Sequence, residues 1–173
     1  MPKETEIKLR ASKATLAALR AHPLLNKRSK SGWQQHELLN QYFDTPARDL
    51  AGAKVALRLR RDGEQVIQTL KSRGESVAGL SERNEWDWQL ASPALDLTKL
   101  DDSCWPASLT DLDKTTLQPI FSTDFLRDKA DIAWGRGKTK VAIEAALDLG
   151  KVCTGPQQED ICELELELRE GEP

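Results

Sequence analysis

In stretch after stretch of this chain, charged residues alternate with apolar ones, and neighbouring charges on one face tend to share a sign. Side chains of equal parity share one face of a β-strand, so each stretch has a charged side and an apolar side. Glu4, Glu6 and Lys8 project together near the start, with Thr5, Ile7 and Leu9 opposite. Arg58 and Arg60 share a face against Val55, Leu57 and Leu59, and Thr69 and Lys71 share one in the next run. Arg83, Glu85 and Asp87 oppose Trp86 and Trp88, while Arg127, Lys129 and Asp131 have one parity. Lys138, Lys140, Glu144 and Asp148 have another, and residues 161–168 place Glu163, Glu165 and Glu167 against Cys162 and three leucines. One such pattern is what an edge strand with a solvated face shows. Its recurrence along the whole chain is what constrains the fold.

Turn signals separate these stretches. Ser12 caps a helix through residues 15–20 that Pro23 stops, and residues 27–32 read as a basic loop. A strand over 37–43 ends at Asp44-Thr45-Pro46, and Asp62-Gly63 is a hairpin turn. Residues 72–79 read as a loop, and 91–116, with Pro93, Pro106 and periodic leucines, as one or two short helices. A long strand over 120–134 turns at Gly135-Arg136-Gly137 into a strand over 138–148, and a Gly155-Pro156 loop leads to the last one. About eight strands joined by short connections make a mainly β (α+β) chain with a mainly antiparallel sheet.

A closed barrel can place the charged faces outside, around an apolar lumen suited to lipid, or inside. The second arrangement fits better, because it gives the helical segments apolar strand faces to cover. The charged faces are also segregated: acidic at the two ends of the chain, basic in the middle with arginine favoured. Arginine's planar fork matches phosphate oxygens, and clustered carboxylates suit hard divalent cations such as Mg²⁺ or Mn²⁺. Buried charges persist only when paired or ligand-bound, so a charged lumen is a binding site.

Composition removes other classes. The 173 residues are 31% charged and 39% hydrophobic, with net charge −3 and an isoelectric point near 5.5. That balance argues against nucleic acid held by bulk positive charge. Cys104, Cys153 and Cys162 lack C-x-x-C spacing and read as free thiols of a reducing compartment. His22 and His36 have no cysteine partners for a zinc site. With no signal peptide or membrane-length apolar run, a cytoplasmic protein without membrane partners is expected.

The ordered set of Glu4-x-Glu6-x-Lys8, Tyr42-Phe43-Asp44-Thr45-Pro46, Arg58-x-Arg60, Thr69-Leu70-Lys71 and Arg83-Asn84-Glu85-Trp86 resembles the CYTH superfamily, or triphosphate tunnel metalloenzymes. Arg127, Glu144 to Gly150 and the terminal Glu163-x-Glu165-x-Glu167 complete the resemblance, which spans nearly the whole chain. It implies an eight-stranded antiparallel closed barrel around a charged tunnel, with a few peripheral helices. Leu70-Lys71, Arg83-x-Glu85-Trp86 and Ala146-Leu147-Asp148-x-Gly150 look most like bacterial inorganic triphosphatases, which often continue into a histidine-rich helical domain of the CHAD type. Residues 1–173 are therefore expected to be a single tunnel domain, either cut before a C-terminal helix or helical domain or encoded alone.

The resemblance implies hydrolysis of tripolyphosphate with one or two Mg²⁺ or Mn²⁺ ions. Lys8, Arg58, Arg60, Lys71, Arg83, Arg127 and Lys140 would bind the phosphates, with Lys129 and Lys138 nearer a tunnel mouth. Glu4, Glu6, Glu163, Glu165 and Glu167 would hold metal. Lys8, Arg58, Glu144 and Asp148 would serve catalysis, supported by Glu85 and Tyr42, with the general base left open. Trp86 and Trp88 read as outward packing residues. Thiamine triphosphatase, nucleoside triphosphatase and class IV adenylyl cyclase activities stay open, as does a non-catalytic polyphosphate or nucleotide binder. A small-molecule partner and a monomer or homodimer are expected.

Overall fold

The computed structural model describes residues 3–72, 74–77, 80–135, 137 and 140–171. Strand β1 (Lys3–Arg10) is followed by helices α1 (Lys13–Arg20) and α2 (Pro23–Arg28), then β2 (Gln34–Asp44) and the short helix α3 (Asp49–Gly52). Next come β3 (Ala56–Asp62), β4 (Gln65–Lys71), β5 (Glu75–Val77) and β6 (Leu80–Leu90). Three single-turn 3₁₀ helices lead to β7 (Gln118–Trp134), β8 (Val141–Thr154) and β9 (Gln157–Glu170).

All pairings are antiparallel, in the order β1-β9-β8-β7-β2-β3-β4-β6, and β6 pairs back onto β1 to close the circle. Closure leaves none of these eight staves as an edge. The ninth strand adds no stave. Lys71 of β4 faces Glu85 of β6 and Glu75 of β5 faces Glu82, so β5 prolongs β4 along β6 after a one-residue slip. The fold is an eight-stranded antiparallel closed barrel.

Its apolar core lies outside the barrel wall. Leu57 and Leu70 are fully buried on the outer faces of β3 and β4, packed with Leu50 of α3 and with Leu100, Cys104, Trp105 and Leu109 of the 3₁₀ segment. Each buried side chain of this size contributes about 1.5–3 kcal/mol, and Trp86 and Trp88 pack outward against the same cluster. On the opposite wall, Leu25 of α2 and Trp33 cover Ala130, Ile132 and Ala145. The barrel with an apolar lumen is thereby overturned.

Helix α1 begins where Ser12 Oγ accepts from Thr15 N at 3.1 Å. Pro23, expected to stop it, instead opens α2 at a position where a missing N–H costs nothing, so part of the expected basic loop is helical. Asp44 also gains a structural explanation. Its Oδ1 accepts from Thr45 N at 2.8 Å and Leu50 N at 2.9 Å, and its Oδ2 from Ala51 N at 3.1 Å. This buried carboxylate thus ties the end of β2 to α3.

Candidate active site

The barrel turns the charged faces inward with their parity intact. A cavity of about 540 Å³ is lined by even residues of β1, β2, β3 and β8 and by odd residues of β4, β6, β7 and β9. Of the residues expected from sequence, Glu4, Glu6, Lys8, Tyr42, Arg58, Arg60, Lys71, Arg83, Glu85, Arg127, Glu144, Asp148, Glu163, Glu165 and Glu167 all line it. Lys140 does not. It precedes the first residue of β8 and is exposed, beyond the stretch whose parity could have turned it inward. Lys138 lies outside the described residues, and Lys129 lines the lumen.

Arg127 is neutralised. Its Nε donates to Asp148 Oδ1 at 2.8 Å and its Nη2 to Asp148 Oδ2 at 2.7 Å and Glu165 Oε2 at 3.1 Å. Burial opposes charge on Arg127, but these carboxylates hold its pKa above the usual arginine value. Glu165 is correspondingly drawn down to about 2: burial raises it, and Arg127 and Lys8 outweigh the burial. Lys8 Nζ lies 3.1 Å from Glu165 and 3.7 Å from Glu163.

Arg60 is not neutralised. Its Nε donates to the amide oxygen of Asn40 at 2.8 Å, and Asn40 itself donates to Thr123 at 2.9 Å. Burial, with repulsion from Arg58 and Arg127, lowers its pKa to about 10. Arg58 reaches Glu85 only at 3.5 Å, and its buried Nε has no hydrogen-bond partner among the described residues. Burial raises the Tyr42 phenol, but Arg58, Arg60 and Lys8 together bring it below its ordinary value. Its ring stacks on Phe121 with centroids 4.4 Å apart. Positive charge here is in excess, which is the electrostatic form of an anion site.

The carboxylates show the converse. Lys71 Nζ donates to Glu4 at 2.6 and 2.8 Å, and Arg83 donates to Glu4 at 3.2 Å and to Glu6. Burial pushes the Glu4 carboxyl up, but Lys71 and Arg83 hold it below the usual range. Glu167 is pushed up to about 7 by burial and by Glu4, Glu144 and Glu85, although Arg169 pulls it down. Among the described residues no three acidic, histidine or cysteine side chains stand close enough to grip an ion as they are. The donor set nevertheless fits a hard divalent cation: it is all carboxylate oxygen, and its crowding disfavours full ionisation without added positive charge.

Several lumen residues were not anticipated. Arg169 continues the parity of Glu163, Glu165 and Glu167, one step beyond the strict alternation of glutamate with leucine. His36, set aside as a zinc ligand, lines the lumen with Nδ1 at 2.8 Å from Asp62. Leu38, Phe125, Val152 and Ile161 form an apolar patch on the lumen wall. They come together because Gly150 lies between Phe125 and Ile161 in the register. A Cβ on Gly150 would meet Phe125 Cβ at 2.4 Å, so the close approach requires glycine there.

Fold and site together define a closed antiparallel barrel with a charged lumen, in which arginines and lysines stand beside crowded carboxylates. The chain belongs to the CYTH domain family, which it matches over residues 2–173. It is 36% identical over 132 residues, 76% of this chain, to an inorganic triphosphatase of Haemophilus influenzae (strain ATCC 51907 / DSM 11121 / KW20 / Rd). The chain spans 36% of that relative's length. Among solved structures, a Hippeastrum protein provisionally called an adenylyl cyclase, described as having a dominant triphosphatase activity, matches with TM-score 0.61 and 24% identity. That match covers 96% of this chain and 80% of the other. A Bacillus halodurans protein provisionally called an adenylate cyclase matches with TM-score 0.53 and 23% identity, covering 98% and 83%. These structural likenesses speak for the fold alone.

Proposed function

We propose that this chain hydrolyses inorganic triphosphate, bound in the lumen with Mg²⁺ or Mn²⁺. The observation that carries the reading is the Arg58–Arg60 pair, two half-buried guanidinium groups without a full anionic partner. The similarity to an inorganic triphosphatase supports it. Among the described residues, eight Lys or Arg and ten Asp or Glu side chains line the cavity. A lumen whose charges leave a net negative balance admits a polyanion only together with added cations, which favours joint binding of phosphate and metal.

In this reading Arg58, Arg60 and Lys8 take the phosphate oxygens, with Arg127 held at a fixed angle beside them by Asp148. Lys71 and Arg83 exchange carboxylate partners for phosphate. Fixed donors aimed at the transferred phosphoryl group stabilise its charge in the transition state without reorganising. Glu4, Glu6, Glu163, Glu165 and Glu167 would hold the divalent ions, which supply charge neutralisation and a more acidic water when bound. Glu144 and Asp148 orient the cations opposite them, Glu85 restrains Arg58 and Lys71, and Tyr42 steadies Arg58. Residues 1–173 act as one tunnel domain on a small-molecule substrate. Free thiols at Cys104, Cys153 and Cys162 favour a cytoplasmic setting.

The test is phosphate release from tripolyphosphate, ATP and thiamine triphosphate, with Mg²⁺, Mn²⁺ or EDTA, for the wild type and Glu6→Gln. Metal-dependent release from tripolyphosphate in preference to the others, lost in the variant, is expected. Cyclic AMP formed from ATP would move the protein to the cyclases. Tripolyphosphate binding without turnover would replace hydrolysis by a binding role.

A further inference from the structure

We infer that Arg169 is the resident counter-ion of the Glu144–Glu167 carboxylate pair: it occupies an oxygen of Glu167 that a divalent cation would take and so weakens that cation's binding. The inference rests on the reading of Glu167 as a metal ligand. Glu144 of β8 and Glu167 of β9 are direct cross-strand partners facing the lumen, an arrangement that like charges destabilise unless a cation stands between them. Arg169 supplies that cation. Its Nη1 donates to Glu167 Oε1 at 2.6 Å and its Nη2 lies 3.1 Å from Glu144 Oε1. Of this pair, Lys129 reaches Glu144, at 3.8 Å.

Hard cations bind through carboxylate oxygens, so the guanidinium and a dication compete for the same atoms. Arg169 is suited to yield. Its side chain is 47% exposed, against 9% for Arg127, and it stands one residue from the end of β9. Its long stem can carry the charged head out to water.

The experiment is a Mn²⁺ titration without phosphate at pH 8, following the electron paramagnetic resonance signal of free Mn²⁺. Arg169 is half exposed, so water-like screening applies, and removing one unit charge about 6 Å from a dication then corresponds to about a tenfold change. Arg169→Ala is expected to bind Mn²⁺ about tenfold more tightly than the wild type, and Arg169→Lys, which keeps the charge, within about threefold of it. Unchanged or weaker binding by Arg169→Ala overturns the inference alone, and so does equal tightening by Arg169→Lys. Absence of Mn²⁺ binding in the wild type and in Arg169→Ala overturns it together with the metal-ligand reading.

Discussion

Arg60 and Arg127 are both lumen-facing, both on central stretches of their strands, and electrostatically opposite. Arg127 stands across the sheet from Asp148, Arg60 across from Asn40. The carboxylate grips Arg127 through two hydrogen bonds, while the amide offers Arg60 one neutral acceptor. Burial penalises both charges; only Arg127 has that penalty offset within the protein. The first arrangement is complete without a ligand. The second lacks an anionic partner, and in the proposed function this difference separates a residue that holds the barrel from one that holds the substrate.

The largest expected effect follows from that contrast. Arg60→Ala should lower tripolyphosphate hydrolysis by about 10²–10³-fold, the scale for one positioned charge-stabilising donor, while its thermal midpoint stays at or slightly above the wild-type value. Steady-state kinetics beside a melting curve measures both, and a large fall in midpoint would break the comparison. Arg127→Ala should instead destabilise by about 3–5 kcal/mol, because it leaves Asp148 as a buried charge without its cation and Glu165 with Lys8 alone. In a domain of this size that lowers the melting temperature by about 6–20 °C, and a variant that melts with the wild type would contradict it.

A smaller effect separates the carboxylate region from both arginines. Glu167 has a folded-state pKa near 7 against an ordinary value of 4.5. The folded state therefore binds the proton more strongly than the unfolded one, and metal-free stability falls as pH rises from about 4.5 to about 7. The loss is on the order of 2–3 kcal/mol. Denaturant midpoints across that window should slope downward for the wild type and flatten in Glu167→Gln. Added Mn²⁺ should restore stability at the upper end. The smallest effect is expected at Lys140, exposed and off the lumen: Lys140→Ala should leave hydrolysis and melting within experimental scatter, and a tenfold loss of activity would place it in the substrate path after all.

Much of the site could be read before any fold was known, because strand parity is a local property. Glu4, Glu6 and Lys8 must share a face once they are a strand, and so must Arg58 and Arg60. The errors have equally local causes. Pro23 carries the signal both for ending one helix and for opening the next. Lys140 has the parity of Glu144 but lies before the ladder begins, so its parity carries no meaning. Arg169 carries no such signal, because the alternation of glutamates with leucines gives way to two charged residues at its position, although the strand continues.

Chain order and a period of two thus determined which side chains travel together and that their charged faces needed a common, wet interior. They could not say that Asp148 faces Arg127 while Asn40 faces Arg60. That pairing depends on the register between strands distant in sequence, which barrel closure sets globally by fitting every stave at once. Register decided which lumen arginine is already neutralised by a carboxylate and which faces only a neutral amide.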